Sequence, residues 1–395
     1  MANKKYTELT SMTGAELAVG DLIAVADISE PESKSITFSE LRNIINRQMY
    51  PSKVVKTDVY TVLTSDVGII IELGALTAAA KEFTLPSVGS ADDGLLLFFQ
   101  NDSYYTLTIG VSDTDHVWNS GAGYGIELPE KGTFVGLRYD HSQTKWDIVQ
   151  KIGGKVLIEG LKLQLPLNHI QLYDLDNIAT LATMNDEAGR HTFTINDNIY
   201  RRGAVSAKFG PGCIEMAGTD EFLVSQEDAD VDWSVFGTQT GHKTVAGWFF
   251  TDTVAATAGM IIAQYEAAGE KWNLFRSTAA LRLVYSHTGG DAGNIDMTAG
   301  VISVSTWHHF AIILDGVNVG MYLDGQIVAH TVSWGADEFD GSPLFIGQEG
   351  GGANWHNGRL QDYHISFNNP YGAAPDAGLT DSFTKPAAPF QGVML

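Results

Sequence analysis

Cysteine occurs once in this 395-residue chain, at Cys213, which excludes an intrachain disulfide and a thiolate metal cluster. Basic residues are scarce: 24 Lys and Arg stand against 47 Asp and Glu, a formal net charge of −23. Nucleic acid is thereby an unsuitable partner, because phosphates are neutralised by clustered cations, and anionic membrane surfaces are unsuitable for the same reason. Long apolar runs are missing too. No segment reaches the ~18 consecutive apolar residues of a spanning helix, so membrane insertion is not expected. The opening MANKKYTELTSMTGAEL lacks the apolar stretch of roughly 7–15 residues that marks a secretory leader. These absences predict a soluble, acidic protein made in a reducing compartment. What is present is core material: 44% of residues are apolar, enough for two or three domains.

Residues 1–50 read as a small unit of their own. An extended apolar segment from Leu22 to Ile28 leads through a turn near Pro31 into one helix, capped by Thr37 or Ser39 and striped by Leu41, Ile44 and Ile45. So small a unit cannot bury enough surface to stand alone, which predicts that it anchors the chain to a partner. Pro51 breaks the chain, and residues 55–152 follow as short runs rich in Val, Ile, Thr and aromatics, divided by Gly, Asp, Asn and Ser turns. They predict a β-sandwich or small barrel. Residues 153–200 read as a connector, alternating around KVLIEGLKLQL, interrupted by Pro166 and intertwined with copies of itself. Residues 201–370 are again strand after strand with Gly-rich turns, predicting a two-sheet jelly roll. The Pro- and Ala-rich tail, 371–395, is expected to run extended over a neighbour or to be loosely held.

Several stretches of the last domain follow one another in a familiar order: SAKFGPG (206–212), DEFLV (220–224), TVAGWFF (244–250), WHHFAIILDG (307–316), MYLDGQIVA (321–329), LFIGQ (344–348) and NGRLQDYHIS (357–366). In them residues 203–370 resemble a laminin-G-like, concanavalin A-like jelly roll. The sequence departs at Gln361, where many members carry an acidic residue before the position matching Asp362. The N-terminal unit, through Glu8–Thr10 and Ser33–Leu41, is similar to the start of phage tail and fibre proteins. Residues 83–86, 98–101, 106–109 and 146–149 (FTLP, FFQN, TLTI, WDIV) are similar to β-rich fibre modules. The resemblance implies a mainly β virion protein, assembled in the host cytoplasm as a homotrimer. Residues 1–50 would contact other virion proteins, and the head would bind host surface glycan. The alternatives are a structural capsid or tail component that binds only virion proteins, and a polysaccharide depolymerase.

The chemistry-bearing residues test these alternatives. His308 and His309 are adjacent on a strand, so their side chains point to opposite faces and cannot easily share a metal. Trp307 is expected to fill the core, with one histidine bonded inside and the other in solvent. Jelly-roll glucanases carry a Glu-x-Asp-x-Glu pentad whose period of two aims three carboxylates into the cleft. The chain has none: Glu266 and Glu270 have the outer spacing, but Ala268 stands between them. The chain is therefore not expected to be an enzyme. Asp228, Asp230 and Asp232 occupy the first positions of an EF-hand-like loop, but Trp233 and Gln239 stand where Gly and Glu are required. Asp113 and Asp115 form an equally short acidic run. Laminin-G-like domains often hold one calcium ion at the rim, and the resemblance places Asp220, Glu221 and Asp362 as candidate ligands. For carbohydrate the candidates are Asn354, Trp355, His356 and Asn357 in GQEGGGANWHNGR, joined by Trp334. Indoles stack on sugar rings while amides bond hydroxyls, and both stretches read as loops. Asp324-Gly325 reads as a two-residue hairpin turn.

Overall fold

A computed structural model describes residues 22–25, 34–37, 52–112, 115–120, 122–159, 161–167, 183–196, 199–203, 206–225, 241–253, 259–267, 270–286, 292–298, 301–332, 342–350 and 354–394. In the N-terminal unit these include an antiparallel pair, Leu22–Val25 with Lys34–Thr37. The helix expected over the following residues lies outside the described residues.

The first sandwich consists of two six-stranded sheets. Alternation of side chains decides which residues enter its core. In Leu96–Asn101, Leu97, Phe99 and Asn101 are buried while Leu96, Phe98 and Gln100 are half-exposed. The buried Asn101 is satisfied, its Nδ2 donating to Leu128 O at 2.8 Å and to Tyr105 O at 2.9 Å. The connections are not those of a hairpin sandwich. The chain passes from one sheet to the other with each strand, so that Ser52–Lys56, Ile69–Leu73 and Leu96–Asn101 stack in parallel in one sheet. Tyr60–Thr61, Lys81–Thr84 and Leu107–Gly110 stack in parallel in the other. The first half is thus a short two-sided coil. The loop HSQT, residues 141–144, joins Thr133–Asp140 to Lys145–Ile152 as an antiparallel hairpin.

The head consists of two eight-stranded sheets. One runs Tyr200–Gly203, Gly212–Ala217, Asn357–Ser366, His242–Thr251, Trp307–Asp315, Asn318–Leu323, Gln326–Val332, with Leu161–Leu165 paired beside Asn357–Ser366. The other runs Thr183–Asn185, Thr192–Asn196, Phe222–Ser225, Leu344–Ile346, Gly259–Ala267, Glu270–Ser277, Ala280–Ser286, Ala292–Asp296. Phe193, Phe249, Trp272, Phe310 and Tyr363 fill the space between them.

The described part of the connector belongs to both sandwiches. Val156–Ile158 joins a sheet of the first, and Leu161–Leu165 joins the head, with Leu161, Leu163 and Leu165 fully buried. Glu159 stands between them. It accepts a bond from the Gly125 N–H at 2.7 Å in the first sandwich, and its carbonyl accepts one from Asn368 Nδ2 at 2.7 Å in the head.

The tail is extended, but the neighbour it covers is its own chain. Tyr371, Ala373, Leu379 and Phe383 pack on Ala246, Ala311, Ile313, Tyr322 and Ile327, the outer face of a head sheet. Val393–Met394 then pairs with Val156–Ile158. This corrects the reading of WHHFAIILDG. Trp307 is half-buried and donates its indole N–H to Ser206 O at 3.2 Å instead of filling the core. His309, on the face expected to meet water, is only 1% exposed because the tail lies over it. Its Nε2 is 3.3 Å from the Tyr371 hydroxyl, which is also 3.3 Å from His364 Nε2, and His364 stacks on Phe390 at 3.7 Å. Burial pushes His309 down to about 3 and His364 well below its ordinary value.

The Asp324-Gly325 turn ties this arrangement together. Both residues have positive φ, 53° and 83°, as a two-residue hairpin turn requires. Asp324 accepts bonds from the His309 N–H at 3.0 Å and Lys385 Nζ at 3.2 Å, and its Oδ2 lies 2.8 Å from His308 Nδ1. Although burial opposes it, these bonds hold the carboxyl at about 2.

Candidate functional site

The loop between Leu344–Ile346 and Asn357–Ser366 carries most of the expected binding residues, and the structure separates them. Trp355 is half-buried over the outer face of the second head sheet, its ring 6.0 Å from that of Phe222, which lies 5.9 Å from Phe345. Asn354 adopts φ 59° and donates its amide to Glu349, while its carbonyl accepts from the Met260 N–H at 2.8 Å. The other Glu349 oxygen accepts from Asn273 Nδ2 at 3.4 Å. Glu349 thus links Asn354, beside the row of three aromatic rings, to the buried Asn273. The packing of Trp355 on Phe222 fixes the indole without covering it.

His356 does not join this surface. It is 1% exposed, donates its backbone N–H to Gly347 O at 2.9 Å and places Nε2 3.2 Å from Phe250 O. Burial, assisted by the nearby Arg276 charge, pushes it down to about 4, so it is neutral at physiological pH. Its expected contact with ligand is replaced by a structural one: it pins the loop between the sheets. Asn357 also faces elsewhere, donating to Ala217 O at 3.2 Å in the opposite sheet. Trp334 lies outside the described residues, as do Asp113, Asp228, Asp230 and Asp232. Asp115 is buried.

The candidate calcium ligands do not converge. Glu221 is buried and closes its own turn, accepting from the Thr219 N–H at 3.1 Å and the Thr219 hydroxyl at 3.3 Å beside the exposed Asp220. Asp362 lies in the other sheet with φ 59°, and its Oδ2 accepts the Phe390 N–H of the tail at 2.9 Å. Burial, reinforced by Glu187, raises it to about 7. Its surroundings are those of a tail anchor, which removes it from a rim site. Among the described residues no group of three or more His, Cys, Asp and Glu is arranged to hold a metal.

Gln361 explains the departure noted at that position. Its Oε1 accepts from the Lys208 and Phe209 N–H groups at 2.8 and 3.0 Å. Its Nε2 donates to Phe209 O at 2.7 Å and Gly212 O at 2.8 Å. A carboxylate could do only the first half of this.

Residues 225–368 match the concanavalin A-like lectin/glucanases superfamily. The head contains a concanavalin A-like domain. No curated protein matches the chain. Similar solved structures include the botulinum neurotoxin serotype G binding domain, at 11% identity and TM-score 0.40 over 53% of this chain and 49% of that one. The binding domain of Paraclostridial Mosquitocidal Protein 1 gives 13% and 0.41 over 53% and 50%. Domain 4 of AbnA, a GH43 extracellular arabinanase from Geobacillus stearothermophilus in complex with arabinotriose, gives 15% and 0.38 over 53% and 94%. The chain spans about half the length of the first two of these binding domains.

Within this concanavalin A-like head, the candidates Asn354 and Trp355 stand beside Phe222, Phe345 and Glu349, which the sequence reading did not single out. The signal was available. Strand alternation sets Leu223 and Ile346 inward, which turns Phe222 and Phe345 to the outer face.

Proposed function

We propose that this chain is a non-catalytic, glycan-binding fibre or spike protein of a phage virion whose head attaches to host surface polysaccharide. The observation that carries the reading is the half-exposed row of Phe222, Phe345 and Trp355 beside Asn354 and Glu349. Sugar rings present apolar faces to aromatics and hydroxyls to amides and carboxylates, and this patch offers both within one side of a rigid sheet. The superfamily matched by the head includes lectins and glucanases, and the missing Glu-x-Asp-x-Glu pentad supports the lectin side. The virion role, attachment through residues 1–50 and assembly as a homotrimer rest on the resemblance of the N-terminal unit.

The test is binding of the full chain to purified host polysaccharide by calorimetry. Trp355→Ala should weaken binding tenfold or more while the melting temperature falls by only a few degrees, because the indole packs at the surface. Unchanged affinity would count against the patch. A purely structural virion role is favoured by one different feature. Ile152 is exposed beside Phe134, which stacks on Phe98 with ring centres 5.8 Å apart, on the outer face of the first sandwich. Antibody directed to the head, imaged on intact virions, distinguishes a distal head from one buried among virion proteins.

A further inference from the structure

Two clefts open on either side of the tail where it crosses between the sandwiches. One, of about 340 Å³, is lined by residues including Trp118, Gln164 and Glu187, and the other, of about 560 Å³, by residues including Trp118, Asn119, Gln143, Lys145 and Thr384. They share Trp118, Pro389, Phe390 and Gln391, so Trp118 borders both, and the larger groove also presents Asn119 and Gln143. Each volume falls in the range of small-ligand sites, roughly 300–1,000 Å³.

The groove is built around a held indole. Trp118 follows the short parallel pairing of His116–Val117 with Lys145 and Trp146, and its backbone N–H donates to Trp146 O at 2.8 Å. It adopts φ 54°, a region bulky residues seldom occupy. Ser120 locks the turn: its hydroxyl donates to Val117 O at 2.7 Å and accepts from the Val117 N–H at 3.0 Å. One part of the indole packs on both neighbouring hydrophobic clusters, while the ring remains half-exposed to the groove. Asn119 reaches across to the tail, donating to Gln391 O at 3.2 Å. Such a turn keeps a costly backbone conformation that core packing alone would not require.

The walls define the ligand's chemistry. Lys145 pairs with Asp147 at 2.7 Å, and Glu187, which lines only the smaller cleft, accepts from Gln164 Nε2 at 2.9 Å, so the larger groove does not call for an ion. Burial and the Lys145 charge lower the pKa of His116, so that it too is uncharged near neutrality. The rest of the larger groove is aromatic and neutral polar: Trp118, Tyr371 and Phe390 stand beside the amides of Asn119 and Gln143 and the Thr384 hydroxyl, the Gln143 amide also donating to Asp140 at 3.0 Å. We propose that this inter-sandwich groove is a second binding site, distinct from the head patch, for a neutral saccharide that stacks on Trp118 and bonds Asn119 and Gln143.

The site can be observed directly in the full chain labelled with 5-fluorotryptophan, with the Trp118 fluorine resonance assigned from Trp118→Phe. Maltotriose, cellotriose, xylotriose and mannotriose serve as probes, each titrated to about 20 mM, a range that detects millimolar binding. The expected result is a saturable shift of the Trp118 resonance with at least one trisaccharide. Asn119→Ala and Gln143→Ala, both at exposed positions, should each weaken it about fivefold, the worth of one hydrogen bond. Trp355→Ala should leave the shift unchanged, which separates this groove from the head patch and lets either reading fail without the other. A Trp118 resonance unmoved by all four sugars would overturn the proposal, as would a shift that persists at full affinity in the Asn119→Ala, Gln143→Ala double variant.

Discussion

Replacing His309 by glutamine isolates one buried titration and with it the seating of the tail. His309 is held at about 3 in the folded protein, mainly by burial beneath Tyr371 and Phe383, against about 6.5 when unfolded. Because the folded value is depressed, the unfolded state takes up a proton below about pH 6.5 that the folded state refuses. Stability is therefore complete above that pH and is lost progressively as pH falls toward 3. Between pH 7.5 and 5.0 this amounts to about 2 kcal/mol for the single residue. Other groups titrate over the same interval. His364 and His356 act in the same direction, and Asp362, raised to about 7, acts in the opposite one. Asp324, held at about 2, stays ionised throughout. All of them are present in both proteins, so the difference between wild type and His309→Gln leaves the His309 contribution. Urea unfolding of the head followed by tryptophan fluorescence at the two pH values supplies it. The wild type should lose about 0.7–1 M more in midpoint than the variant on acidification, for a slope of about 2–3 kcal/mol/M. Parallel losses in the two proteins would mean that His309 takes its proton while folded, and the account of a tail sealed over this face would be wrong.

Two further substitutions test the joints of the fold. Gln361→Glu turns two donors into acceptors facing Phe209 O and Gly212 O, and should cost about 2–4 kcal/mol, read by calorimetry as a melting temperature lower by roughly 5–10 °C. Gly325→Ala places a Cβ 2.3 Å from Phe383 O at φ 83°, where the tail's Phe383 N–H bonds Gly325 O at 2.9 Å. It should release the tail, seen as faster limited proteolysis within residues 384–394, and a cleavage rate equal to wild type would refute that contact.

The sequence was informative wherever local alternation decides the outcome. The many short strands of the head, the Asp324-Gly325 turn and the inward face of Leu96–Asn101 follow from period two and turn chemistry. It was uninformative where distant segments cover a face. Nothing near His309 signals that residues 371–394 return to bury it, since the covering residues lie more than sixty positions away and form almost no regular structure. The two-sided coil of residues 52–110 was hidden for a related reason. A turn that reverses a hairpin and a turn that carries the chain to the opposite sheet use the same Gly, Asp and Ser residues, and only the parallel register distinguishes them.

The candidate site divides along the same line. Trp355 and Asn354 were legible because a Gly-rich polar loop has no reason to carry an indole unless it packs or binds, and here it does the first on one edge and leaves the rest exposed. His356, one residue further, was misjudged because adjacency in a loop says nothing about which side of a sheet each residue enters. The chain dives between the sheets at that residue to begin Asn357–Ser366, and the bonds to Gly347 and Phe250 are the cost of that turn being satisfied. The aromatic partners of Trp355 came from strands whose sequence pattern announced only a core. On a half-covered sheet the outer face carries as much information as the inner one. Phe222 and Phe345, two aromatics on adjacent strands turned away from the core, are the pair that directs attention to this face.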